Sequence, residues 1–463
     1  MEKFSKYFLL LVIIFFNTIH SYGQDYNITV QAKQLKGDTL RLAYYYGTRT
    51  FQKNISVFDS QGILHFTGND LHSGMYILVL NDTTGIELLI DNDRQFTVTF
   101  DGPFRLENMS IQPDGASKKY LDFLQNRRRL ERQIDTQQRI LRTEGPASSS
   151  SQTTLKTIRT LQDQIQVYTK KIITENPNTL LADYLQMMLP VNPPTGNNAQ
   201  GDSLDIRQNM EYMKNHYLDN IRFSNPELIY TPLLQVKIER YLSLMIPQRP
   251  NEIMTAIDYI VKLAGKNDLM QQFVMNTILN HYYRDINNPT NESAFIFLAN
   301  KYFLNNTPTW ADSSLITRIQ GEVQRIQPNA LGQPAPSLPL ISLDNQKVQI
   351  NVGASKYTIL YFWDAECDIC KRLTPQLYSY YQENKHKGLR IIAILTDKNH
   401  IKEWKTFIEK YKLDWINAYC PAGGRMVEEV YNLVYTPTIY LLNEQHQIIA
   451  KDITINELKK YIK

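Results

Sequence analysis

Cys367 and Cys370 are separated by two residues. At that spacing their sulfurs can pair and unpair, which is what thiol–disulfide exchange requires. Exchange also needs a thiolate. A helix N-terminus favours one, because its free N–H groups and dipole stabilise negative charge. The chemistry therefore calls for a strand that delivers Cys367 and a helix that starts beneath it. Thr358–Trp363 is β-branched and aromatic, too short for an amphipathic helix and apolar enough to be buried on both faces. After Cys370, Leu373, Leu377 and Tyr380 recur at three- and four-residue spacing, so the chain turns helical. Pro375 lies inside that helix and is expected to kink it. Cys367, nearer the helix start, is the expected nucleophile, and Cys370, one turn in, the resolving thiol.

Other chemistries fit less well. A CxxC can be half of a zinc site, but no second Cys/His pair completes four ligands. A peroxidase of the peroxiredoxin type needs a threonine three residues before its cysteine, where Asp364 stands. No nucleotide-binding glycine loop, HExxH or serine-hydrolase elbow occurs. His65 and His72 lack a third ligand partner and read as ordinary strand and loop histidines. No metal and no cofactor is called for. The third cysteine, Cys420, falls between a strand and a short helix and reads as an inert thiol.

The rest of the chain must position this pair and bring it to a substrate. With 463 residues, several domains are expected. A 43% hydrophobic and 21% charged composition allows a sizeable core, and a net charge of +4 gives no case for nucleic acid. Residues 1–24 read as a cleaved signal peptide: Lys3 and Lys6, then the apolar run Phe8–Phe16, then the small residues Ser21 and Gly23. No cysteine near that point could carry a lipid, so a soluble protein of the periplasm is expected. Three cysteines are few for an exported protein held by structural disulfides, which favours a catalytic pair.

Residues 25–112 carry short alternating runs between turn residues and are expected to form an all-β, sandwich-like domain. Residues 113–176 read as a helical hairpin whose arms join through a polar loop at 144–152, and residues 177–327 as an all-α domain punctuated by proline. A proline-rich junction opens the last domain, 328–463, where strands and helices alternate as in an α/β fold with helices on both faces of a sheet.

Three pieces of that domain appear in order: Gly332-Gln-Pro-Ala-Pro336, Phe362-Trp363 with the CxxC, and Tyr435-Thr-Pro437 before a strand. Together they resemble the TlpA-like thioredoxin-fold thiol–disulfide oxidoreductases. The resemblance implies a cis-proline at Pro437 against the CxxC, and a substrate surface of Trp363, the Thr436 backbone and Pro437. Where cytosolic thioredoxins carry a buried acid, this chain has Tyr361. Glu366 and Asp368 are then the candidates for tuning the thiols: Glu366 as a proton acceptor for Cys370, and Asp368 as a charge that disfavours a neighbouring thiolate. The expected activity is disulfide reduction through a mixed disulfide with a protein or peptide. A periplasmic or membrane thiol donor would recharge the pair. The upstream modules loosely resemble accessory domains of such proteins. An alternative reading is a cell-envelope binding or scaffold protein whose redox domain is secondary.

Overall fold

A computed structural model describes residues 26–144, 149–193 and 203–462. The expected signal peptide lies outside the described residues. The chain divides into two compact units, Met1–Pro247 with Thr255–Ile278, and Gln248–Met254 with Leu279–Lys463.

The first unit begins with eight strands: β1 Tyr26–Gln31, β2 Thr39–Tyr46, β3 Arg49–Val57, β4 Ile63–Gly68, β5 Gly74–Asn81, β6 Thr84–Ile90, β7 Gln95–Phe100 and β8 Met109–Gln112. They form two four-stranded sheets, ordered β4-β1-β7-β8 and β3-β2-β5-β6. Period-two burial drives this. In β7, Phe96, Val98 and Phe100 point into the core while the residues between them stay at least partly exposed. The edge strand β3 has none of its side chains fully buried, and its apolar residues Phe51, Ile55 and Val57 remain exposed. Two long helices follow, α1 Ala116–Glu144 and α2 Ser149–Glu175. The second arm starts inside the serine run that reads as loop. Helices α3 Leu180–Met188, α4 Ser203–His216, α5 Pro232–Arg240, α6 Pro250–Ala264 and α7 Asp268–Tyr283 complete the α region, the last two crossing the division between units.

The second unit combines helices α8 Pro289–Ala299 and α9 Ser313–Ile326 with an α/β fold. Its strands are β9 Leu340–Ser342, β10 Lys347–Val348, β11 Tyr357–Trp363, β12 Leu389–Leu395, β13 Ile416–Tyr419, β14 Thr438–Leu442 and β15 Ile448–Lys451. Its helices are α10 Asp368–Asn384, α11 Ile401–Tyr411, α12 Gly424–Tyr431 and the short α13 Ile455–Leu458, which opens on a Thr454/Glu457 capping box. The sheet order is β10-β9-β13-β12-β11-β14-β15. Central β11 runs parallel to β12 and antiparallel to β14. Helices cover both faces, so β11 is apolar throughout: Ile359, Tyr361 and Trp363 fill one layer, and Leu360 and Phe362 the other.

An ion pair is sealed inside this unit. Lys451, on the edge strand β15, reaches Glu292 of α8 at 2.7 Å and also donates to the backbone and side-chain oxygens of Asn329 at 3.1 Å. Both charged side chains are almost fully buried. Burial lowers the Lys451 pKa and raises that of Glu292, so desolvation works against both charges and their mutual contact opposes it. A second link joins Arg325 of α9 to the side-chain oxygen of Asn432.

Candidate active site

β11 ends at Trp363 and α10 begins at Asp368, and the four residues between them make the turn. Two local bonds shape it. The Asp364 carboxylate accepts the Glu366 N–H at 2.8 Å, and Cys367 is the N-cap of α10, its sulfur accepting the Cys370 N–H at 3.4 Å. A cysteine thus stands where Ser, Thr or Asp usually caps a helix. Its sulfur faces the unpaired amides that favour a thiolate.

The two sulfurs differ in access. Cys367 is half-buried, Cys370 is fully buried, and both are free thiols. Burial pushes the Cys370 thiol up to about 12, an effect partly offset by a backbone bond from Asp364. On the open side, the Cys367 thiol lies 3.6 Å from the Thr436 carbonyl oxygen, toward which it can donate. The Thr436–Pro437 bond is cis, as the resemblance implies. The sequence-predicted residues Cys367, Cys370, Thr436 and Pro437 therefore converge, although 69 residues separate Cys367 from Thr436.

The other expected site residues do not join them. Trp363, expected on the substrate surface, is fully buried and packs edge-on to Phe407 with ring centroids 5.3 Å apart. The reason is the alternation along β11, which points residue 363 into the same layer as Tyr361. Glu366, expected to take a proton from Cys370, is exposed and pairs with Lys371 at 3.3 Å, while the Cys370 sulfur is buried. Asp368 is exposed in the first turn of α10. Behind Cys370, Tyr361 fills the space of the missing acid. Its hydroxyl bonds Thr374 at 2.8 Å, and Thr374 in turn donates to the Cys370 carbonyl at 2.8 Å. Burial raises the Tyr361 pKa, so the phenol stays neutral.

One pair near the thiols is not legible as a site in the sequence. His400, at the start of α11, bonds Asp364 through Nδ1 at 2.8 Å, and that bond raises its pKa. The Asp364-Ala-Glu366 spacing is an Asx-turn signal, but nothing local points to a histidine 36 residues away. Asp364, Asp397 and His400 bring possible ligand atoms within 4.8 Å of one another. Asp364 and Asp397 already accept loop N–H groups, which accounts for the cluster structurally. Cys420 is buried in the opposite layer from Cys370, 3.8 Å from the Met426 sulfur.

Comparisons with known proteins agree with this geometry. The thioredoxin-like family matches residues 354–448, and a domain of unknown function, DUF5106, matches residues 202–329. A thiol-disulfide oxidoreductase ResA of Bacillus cereus is 27% identical over 150 residues, which is 32% of this chain and 85% of that protein. The solved thioredoxin domain of a thiol-disulfide oxidoreductase from Bacteroides vulgatus is 31% identical, covering 29% of this chain and 99% of its own, with a TM-score of 0.27. A thioredoxin-like protein from Bacteroides caccae is 19% identical, covering 59% of this chain and 97% of its own, with a TM-score of 0.44. A half-open cysteine capping a helix, with a buried cysteine behind it, stands in the domain that matches the thioredoxin-like family, and this C-terminal domain fits the TlpA-like thioredoxin-fold thiol–disulfide oxidoreductases.

Proposed function

We propose that this enzyme is exported to the periplasm and reduces disulfides of protein or peptide substrates through Cys367 and Cys370. The observation that carries the reading is the Cys367 sulfur, open to solvent at the N-cap of α10, with Cys370 buried one turn behind it. The Cys367 thiolate attacks one sulfur of the substrate disulfide. That S–S bond breaks, a mixed disulfide forms, and the first substrate sulfur leaves and takes a proton. Cys370 then loses its proton and attacks the Cys367 sulfur. The second substrate thiol departs, and the Cys367–Cys370 disulfide carries away the two-electron oxidation. The high pKa of Cys370 suits this order, because its thiol stays protonated and inactive until the mixed disulfide is in place. The backbone at Thr436 is the edge along which an extended substrate segment would pair. A membrane or periplasmic thiol donor would return the pair to the dithiol.

A reductant rather than a strong oxidant follows from the same features. Strong oxidants stabilise their thiolate form, whereas here Asp368 sits between the cysteines and Cys370 resists ionisation. The test has two parts. Cys370→Ser should accumulate mixed disulfides in cells while Cys367→Ser accumulates none, and the midpoint potential of the pair should lie near the thioredoxin value of about −270 mV. Absence of trapped partners would refute the mechanism, and a potential near about −120 mV would refute the reductive direction.

A further inference from the structure

Beside Thr436 the second unit has a small, open recess. Asn432 to Tyr435 form one wall, which runs directly into the Thr436–Pro437 edge. The opposite wall is not part of the α/β fold proper. It comes from the helical segment, through Asn287 and Glu292. Lys451 and Asp452 lie on the remaining side, at the end of β15.

The charges in this recess are unequal. Glu292 and Lys451 neutralise each other, and Lys451 is further engaged by Asn329. Asp452 is exposed, and its hydrogen-bond partner is the neutral Tyr435 hydroxyl; no salt bridge joins it to a lysine or arginine among the described residues, and the neighbouring Lys451, which feels its charge, is committed to Glu292 and Asn329. The recess therefore presents one uncompensated carboxylate, a tyrosine side chain's length from the backbone beside Cys367. Tyr435 and Val434, both largely exposed, offer apolar surface for the stem of a long side chain. An extended polypeptide advances at most about 3.6 Å per residue, so a substrate lying along Thr436 would pass the recess within one or two residues of its cysteine.

We propose that this recess selects polypeptide substrates carrying a lysine or arginine within two residues of the reacting cysteine, with the ammonium or guanidinium group on Asp452 and the helical segment as the far wall. The proposal rests on the redox reading above and names a substrate class for it.

The test uses the full chain with Cys370→Ser, so that reaction stops at the mixed disulfide. The probes are two five-residue peptides that differ at one position, Lys or Glu two residues from a single cysteine activated as its 2-nitro-5-thiobenzoate disulfide. Cys367 attacks the peptide sulfur, the S–S bond breaks, and the coloured thiolate leaves, giving the rate directly. The Lys peptide should react about 2- to 5-fold faster than the Glu peptide, as expected for a solvent-accessible charge pair. The preference should shrink in high salt and vanish in Asp452→Asn. Residue 452 has φ of +53°, which asparagine adopts readily, so the substitution removes charge and keeps the backbone. Equal rates for the two peptides, or a preference that survives Asp452→Asn, overturn the proposal. Neutral dipyridyl disulfide, which has no side chain to place in the recess, separates the two readings. If it and both peptides fail to modify Cys367, the redox reading falls and takes the recess with it. If it reacts normally while the peptides show no preference, only the recess proposal falls.

Discussion

Two turns of one sheet carry a cysteine just past a parallel strand and just before a helix: Cys367 between β11 and α10, and Cys420 between β13 and α12. Chain order and residue type are alike, yet only one turn puts its sulfur at the start of a helix. Cys367 is itself the helix cap, with its sulfur on the Cys370 amide. Cys420 stops three residues short of its helix cap, Gly423, and its side chain turns into the apolar layer beside Met426. The start of α12 is then closed by backbone: a Cβ at Gly424 would lie 1.6 Å from the Thr396 carbonyl oxygen. The lesson is that register against the helix start, not proximity to a strand end, decides whether a sulfur meets the free N–H groups of a helix. A cysteine in the cap position meets free N–H groups and solvent, and a cysteine three residues earlier meets only side chains.

The contrast can be broken most easily at the sulfurs. Cys367→Ser should abolish reduction of a small aromatic disulfide, with a loss of at least about 10³-fold, because the proposed nucleophile is gone. Cys420→Ser should leave the rate within about 2-fold, since a buried apolar thiol has no part in exchange. A comparable loss from both would erase the distinction. Gly424→Ala should show the opposite profile. The Cβ overlap should cost at least about 2 kcal/mol in denaturant unfolding, while exchange by the fraction still folded stays normal.

The pH dependence sharpens the comparison within the active turn. The raised Cys370 pKa means that the folded state holds this proton more tightly than the unfolded chain, where the thiol ionises near 9.0. The associated stability is complete below pH 9 and is lost as pH rises toward 12. Denaturation midpoints of the wild type should therefore fall more steeply above pH 9 than those of Cys370→Ala. In Cys367→Ser, alkylation of Cys370 should still be climbing at pH 10, and a plateau below that pH would contradict the burial effect. The smallest change expected is Tyr361→Phe. It removes the hydrogen bond to Thr374 for about 1 kcal/mol and leaves Thr374 on the Cys370 carbonyl, so the exchange rate should hardly move.

Much of the site could be read before the fold was known, because its chemistry is local. The apolar run Thr358–Trp363, the CxxC and the helical spacing after it lie within a few turns of one another. Trp363 shows where the same reading failed. A strand buried on both faces leaves no exposed side for its tryptophan, so burial should have outweighed the motif. The remaining parts had no local signal. His400 meets Asp364 across 36 residues, and Lys451 meets Glu292 across 159. Strand β3 was hard to see for a different reason. Its apolar residues Phe51, Ile55 and Val57 do alternate with polar ones, but they stay exposed on an edge strand and the run is broken by Lys53, so the signal is weaker than in β2 or β7.

The Lys451–Glu292 pair bears on where this protein can be cut. A fragment starting at the proline-rich junction would keep the sheet and both cysteines. It would lose Glu292 together with α8, the helix that buries the lysine of β15, so Lys451 would exchange its ion pair for solvent. The edge of the sheet nearest the substrate loop would be the part most disturbed, since Lys451 is paired across to Tyr440 two residues beyond Thr438. Thiol reactivity measured in such a fragment and in a chain that begins before α8 would show whether the buried pair reaches the substrate loop.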